Sequence, residues 1–374
     1  MTHAAEQPDE TVRRLLTSVV RSPELLATLR PAELDLVLRL ARRVRLLGRF
    51  AERLARRGLL EGLPEPAREQ LASALVVVEA RARVTRWELD RLTRALRGVT
   101  STPAVVLKGC AYLLAELPNA AGRVFADVDL LFPEAALADA ERALLVHGWR
   151  GAKLEPYDQR YYRLWTHELP PLVHAEREVE ADLHHNIVPR VGRLKPSAAR
   201  LLEAAQPVPG QPWRRLDDRD LVLHAMTHLM FDSDLADCLR DLVDIDDLLR
   251  HFAAATPKFW ERLWARACEL DLGRPAFYAL RHAHRWLGTP VPEALLQRSR
   301  ERAPPGIVVW LMDRLVPWAL FPAHPDRPQR RVAVARALLY VRSLWIRMPP
   351  LLLARHLGYQ WYRRRVRPKL RPAQ

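Results

Sequence analysis

The stretch that most constrains this chain runs from Ala104 to Phe132 and reads AVVLKGCAYLLAELPNAAGRVFADVDLLF. An apolar strand over Ala104–Leu107 runs through Lys108 into a glycine turn at Gly109. A short helix follows over Cys110–Leu117, and a polar loop carrying Arg123 leads to a second apolar strand with two aspartates. Residues i and i+2 of a strand share a face, so Asp127 and Asp129 project together while Val128 turns to the core. Two adjacent carboxylates repel unless something positive lies between them. A divalent metal is the usual partner, and paired metals about 4 Å apart suit phosphoryl or nucleotidyl transfer.

The rest of the chain sets this unit among helices. Residues 11–100 carry apolar positions at helical spacing, such as Leu34, Val37, Leu38 and Ala41, with Pro31 at a plausible first turn. From Pro66 to Gly98 no internal glycine or proline interrupts the run. Past the Asp127 strand, Pro133 and Glu134 open a helix ending near His147, with Gly148 as the stop. The aromatic and basic run RYYRLWTHE fits either loop or strand. The segment LVHAEREVEADLHHNI reads as a hairpin in which Glu180, Asp182 and His184 alternate with apolar residues. Helices return over 191–326, with His224 and His228 one turn apart and an acidic run from Asp241 to Asp247. The expected fold is therefore α+β and mostly helical. The expected divisions are an N-terminal helical region (1–100), a small mixed-sheet core (101–190), a C-terminal helical domain (191–326) and a basic amphipathic tail (327–374).

The order strand, Lys108-Gly109, Arg123, Asp127-Val128-Asp129-Leu130-Leu131, then Asp182-Leu183-His184, resembles a bacterial family of uncharacterised nucleotidyltransferases within the polymerase-beta-type superfamily. The resemblance spans roughly residues 100–190 and weakens towards 290. It implies Asp127, Asp129 and Asp182 as metal-binding and catalytic carboxylates, with two Mg2+ ions. It also implies Lys108, Gly109 and Arg123 as the nucleotide-binding group, an NTP as substrate and an unidentified small-molecule, peptide or protein acceptor. Cys110 and Ala126 depart from the pattern, standing where the superfamily often has serine. Glu180 competes with Asp182 for the place of third carboxylate, on the expectation that only one of them, Asp182, lies opposite the Asp127 strand at coordinating distance. His184 is read as a contact beside the metal rather than a ligand, because hard magnesium prefers oxygen. Asparagine at either Asp127 or Asp129 is expected to leave the fold intact.

Charge narrows the partners. The net charge of +15 over 374 residues is concentrated at one end: residues 327–374 hold thirteen Lys and Arg and no Asp or Glu, leaving the remainder near +2. The catalytic region is thus not a nucleic-acid groove on charge grounds. The tail reads as one or two amphipathic helices packed on the helical domain, with an anionic membrane surface or RNA as other partners. His224 and His228 read as packing or cleft-lining residues, and Asp241–Asp247 as a solvated helix face in which Arg240 pairs with Asp244. Three scattered cysteines argue against a disulfide framework. With no signal-like start and no long apolar run, the expected location is cytoplasmic, with peripheral membrane association open. Two other functions remain: a non-catalytic nucleotide- or peptide-binding protein, and a membrane- or RNA-associated factor acting through the tail.

Overall fold

The computed structural model describes residues 8–99, 104–327 and 329–365. Helices account for most of it, and seven short strands form one mixed sheet among the described residues. The strands are β1 (Val105–Val106), β2 (Asp127–Leu131), β3 (Trp149–Gly151), β4 (Leu172–His174), β5 (Glu180–His184), β6 (Gln206–Pro207) and β7 (Arg214–Arg215), in the spatial order β3-β4-β5-β2-β1-β7-β6. The α+β reading holds.

β2 is the centre of the sheet. It pairs antiparallel with β1, which puts Val105 beside Leu131, and parallel with β5. The expected hairpin is present as β4–β5, with Leu172 beside Ala181. Alternation does the sorting: Val128, Leu130, Ala181 and Leu183 are all buried, leaving the intervening acids to the other face. The parallel register then fixes which acids meet. Asp127 lies beside Glu180, and Asp129 lies beside Asp182.

The N-terminal region is helical as its periodicity demands. Pro31–Arg43 begins on its proline, with Glu33 accepting from the Arg30 backbone N–H at 3.3 Å. The uninterrupted run forms a single helix, Glu65–Ala95. The helix Leu47–Arg56 packs beside the loop that precedes β2, where Gly122 takes φ +73° and a Cβ would lie 2.4 Å from Arg49 Cα. Only glycine permits that approach. One contiguous buried cluster extends from Val12 through the sheet to Leu339.

The run RYYRLWTHE is neither loop nor strand at its start, because Pro156–Trp165 is a helix. Proline at its first position and the absence of any interior breaker favour that outcome. Its aromatic face is covered by the tail: Tyr157 stacks on Tyr359 at 4.0 Å, and Arg363 bonds Asp158 at 3.1 Å. The tail forms two helices. Arg330–Arg347 lies against Gly306–Leu320 in the helical region, whereas Pro350–Arg365 returns to the sheet region instead of packing on the helical domain. The basic residues beyond Arg365 lie outside the described residues. Among the described residues no helix is long and apolar enough to cross a membrane.

Candidate active site

The site is built where β2 and β5 run side by side. Asp127 and Asp129 share a face, as their spacing requires, but at different depths: Asp127 is exposed at the strand start and Asp129 is 2% exposed. Of the two rivals for third carboxylate, Asp182 has a ligand atom within 4.8 Å of Asp129, and Glu180 falls in no such group among the described residues. Both lie along β2, Asp182 beside buried Asp129 and Glu180 beside exposed Asp127. A parallel register sets up two carboxylate pairs, one deep and one at the rim.

Asp129 is held by two cations or donors at a single oxygen. Lys108 Nζ lies 2.7 Å from Oδ1, and His184 Nε2 lies 2.8 Å from the same atom. Burial alone would raise the Asp129 carboxyl, but the Lys108 charge and the His184 hydrogen bond hold it far below the ordinary range. The same ion pair overcomes the cost of burying Lys108 and pushes its ammonium up. Lys108 sits at φ +44°, the left-handed region where a side chain is disfavoured by about 1 kcal/mol or more. The ion pair offsets that strain. Lys108 therefore contacts the Asp129 carboxylate directly.

Asp182 behaves oppositely. Burial, followed by the nearby charges of Asp129, Glu168 and Glu180, pushes its carboxyl up to about 8. Its Oδ1 is buried and has no hydrogen-bond partner. One ligand atom each from Asp129, Asp182 and His184 lies within 4.8 Å of the others. An orphaned carboxylate oxygen beside an ionised carboxylate is the donor set a hard divalent cation satisfies. The residues present fit such an ion. Glu180 is also raised, by partial burial and then by Asp127 and Asp129.

Glu168 is a participant that the sequence did not reveal. It bridges to His184 through the backbone, and its Oε2 lies 3.4 Å from His184 Nδ1. His184 thus lies between Glu168 and Asp129, and His167 lies against its ring at 5.3 Å. The Asp129 bond to Nε2 orients the ring, while Nδ1 makes no hydrogen bond and has Glu168 as its nearest carboxylate.

A cleft of about 240 Å³ opens from Asp127 and Asp129 towards the helices Asp218–Thr227 and Leu239–Ala255. Lys108, Gly109 and Arg123 line it, so the structure brings the expected nucleotide-binding group together with the two aspartates. Asp182 is next to Asp129 through the strand pairing. Gly109 faces Phe125 and Arg123, where a Cβ would stand 3.1 and 3.4 Å from their side chains. Cys110, in place of serine, is buried; its thiol, pushed up by burial, donates weakly to the Asp127 carbonyl at 3.5 Å. Ala126 is an exposed residue of the cleft wall. His224 and His228 also line the cleft. Burial, together with the nearby Lys108 charge, drives His224 well below its ordinary value, so its imidazole is neutral.

The acidic run is not a solvated face. Asp244, Asp246 and Asp247 are all buried. Arg123 pairs with Asp244, while Arg240 turns to Asp241 at 2.8 Å instead of forming the expected pair with Asp244. Asp247 takes Arg49 in a two-pronged pair and Arg53 at 3.2 Å. Asp241, Asp244 and Asp247 share one helix face by their spacing, and what buries that face is packing against distant segments that carry Arg49 and Arg123, which spacing does not show.

Comparison with known proteins gives one family. A family model described as "Uncharacterised nucleotidyltransferase" matches residues 30–288. Neither the curated proteins nor the solved structures contain a match.

Proposed function

The chain belongs to the uncharacterised nucleotidyltransferase family, and from that premise we propose that it transfers a nucleotidyl group from an NTP to an acceptor hydroxyl or similar nucleophile, with magnesium and with release of pyrophosphate. The observation that carries this reading is the β2–β5 register, which sets ionised Asp129 against Asp182 with its orphaned Oδ1. Asp127 and Asp129 would hold magnesium, two ions in the full complex, with Asp182 completing the set. Bound magnesium supplies neutralisation of the triphosphate and a lower pKa for the acceptor.

The chain's own residues do the rest. Asp182, raised to about 8 in the metal-free site, would be ionised once a metal is bound, and in that state it would orient the acceptor and take its proton. His184, bonded through Nε2 to Asp129, keeps that carboxylate from rotating. Lys108 and Arg123 face the cleft where the phosphates would lie, and the Leu239–Ala255 helix forms its far wall. Neutral His224 lines the cleft without adding charge.

The test is incubation with each labelled NTP, magnesium and cell extract, with identification of the labelled product and Asp127→Asn as control. Magnesium with the right NTP should also raise the melting temperature. A ligand at a hundredfold excess over its dissociation constant stabilises by about 2.7 kcal/mol. No label transfer from any NTP and no metal-dependent shift would end this reading.

A further inference from the structure

A second cavity lies away from the β2–β5 site. It measures about 810 Å³ and is bounded by Gly273–His282, Gly306–Leu320, Arg330–Arg347 and the turn at Ala303–Pro305. That volume is within the range of small-molecule sites. Its apolar wall includes Val308, Leu311, Leu315, Leu338 and Leu339. Leu311 is 43% exposed and Leu338 48%, so the wall is open at one side and not sealed as core.

The charges around it are unbalanced. Arg193, Arg274, Arg302 and Arg342 line the cavity against two acids, Asp271 and Glu301. Among the described residues none of these six forms an ion pair, although arginines elsewhere in the helical region do, as Arg266 with Asp220 and Arg281 with Asp313. Arg342 is the sharpest case. Its guanidinium is half-buried, donates to the Met230 carbonyl at 2.9 Å and lies over the rings of Phe231 and Tyr278 at 5.3 and 5.6 Å. Burial pulls its pKa down. One carbonyl and two ring faces use a small part of its five donors. A desolvated cation without a counter-ion is costly, and an anion in the cavity would remove that cost.

We propose that this cavity binds a single-chain anionic amphiphile, with its aliphatic chain along Leu311, Leu315, Leu338 and Leu339 and its phosphate or carboxylate head at Arg342 and Arg274. A purely apolar ligand would leave the arginines uncompensated. A bare anion would leave the exposed leucines in water. The proposal is independent of the nucleotidyl-transfer reading.

Calorimetry on the full chain tests it, with dodecyl phosphate kept below its critical micelle concentration. Wild type should bind one equivalent. Inorganic phosphate and dodecyl maltoside, which each carry half of the chemistry, should bind at least tenfold more weakly. Arg342→Gln should weaken dodecyl phosphate tenfold or more. Leu311→Glu, at an exposed position where folding is not at risk, should abolish binding. Equal affinity for the maltoside or for inorganic phosphate overturns the proposal. So does full affinity in Leu311→Glu, or binding to phosphatidylglycerol vesicles without binding to the monomer, which would replace the cavity with a membrane surface.

Discussion

Raising the pH from 6 to 8 should tighten divalent-metal binding about fiftyfold, and Asp182 is the reason. A metal needs this carboxylate ionised. With its carboxyl raised to about 8, Asp182 is about 1% ionised at pH 6 and about half ionised at pH 8. That ratio corresponds to about 2.3 kcal/mol of apparent binding energy. Lys108 stays protonated and Asp129 stays ionised across this window, since one is pushed up and the other held far down, so neither adds slope. Manganese or magnesium titrations by calorimetry at pH 6, 7 and 8 should show nearly one proton released at pH 6 and about half a proton at pH 8. Asp182→Asn should bind more weakly and without the slope. The sign for stability is opposite. The metal-free fold holds a proton on Asp182 that the unfolded chain loses near pH 3.9, so this contribution is full below that value and is lost as pH rises through about 8. A flat wild-type metal profile, or an equal slope in Asp182→Asn, would refute this reasoning.

Asp127→Asn should abolish NTP turnover with an unchanged melting temperature, because Asp127 is exposed. Asp129→Asn should abolish turnover and also cost about 3 kcal/mol in denaturant titration, since it strands Lys108 beside a neutral amide. Asp182→Asn should slow the chemical step by orders of magnitude in single-turnover kinetics, and Glu180→Gln at the rim by about tenfold or less, around 1.4 kcal/mol; a reversed order would make Glu180 the third carboxylate. Arg49→Ala should destabilise by about 3–5 kcal/mol, read from chemical unfolding, because it leaves Asp247 buried with Arg53 alone; a loss under 1 kcal/mol would show that the pair carries little.

The parts of the site legible in the sequence were those carried by local pattern. Asp127 and Asp129 are two residues apart on one strand, and Asp182 sits in a strand whose alternation is plain, so face and order followed from spacing. Depth did not follow. That Asp129 is buried and Asp127 exposed depends on which strands flank β2, and this is a long-range property. Glu168 escaped because its segment has no periodicity, and it reaches His184 only through the folding back of the chain before β4. The Asp247 pair with Arg49 joins residues 198 apart. The acids of Asp241–Asp247 read as a solvated face because the arginines that cover them, Arg49 and Arg123, come from distant parts of the chain.

Lys108 also bears on the order in which ligands arrive. Its ammonium already neutralises Asp129, so the protein carries a reserve cation. A bare divalent ion gains less from a carboxylate already compensated than from a free one. An ion arriving with a triphosphate brings the anion to which Lys108 can turn, exchanging one partner for another without leaving either charge alone. Under the proposed function the lysine would favour a metal arriving with its triphosphate over a bare one, and the Lys108–Asp129 pair leaves neither buried charge alone in the meantime.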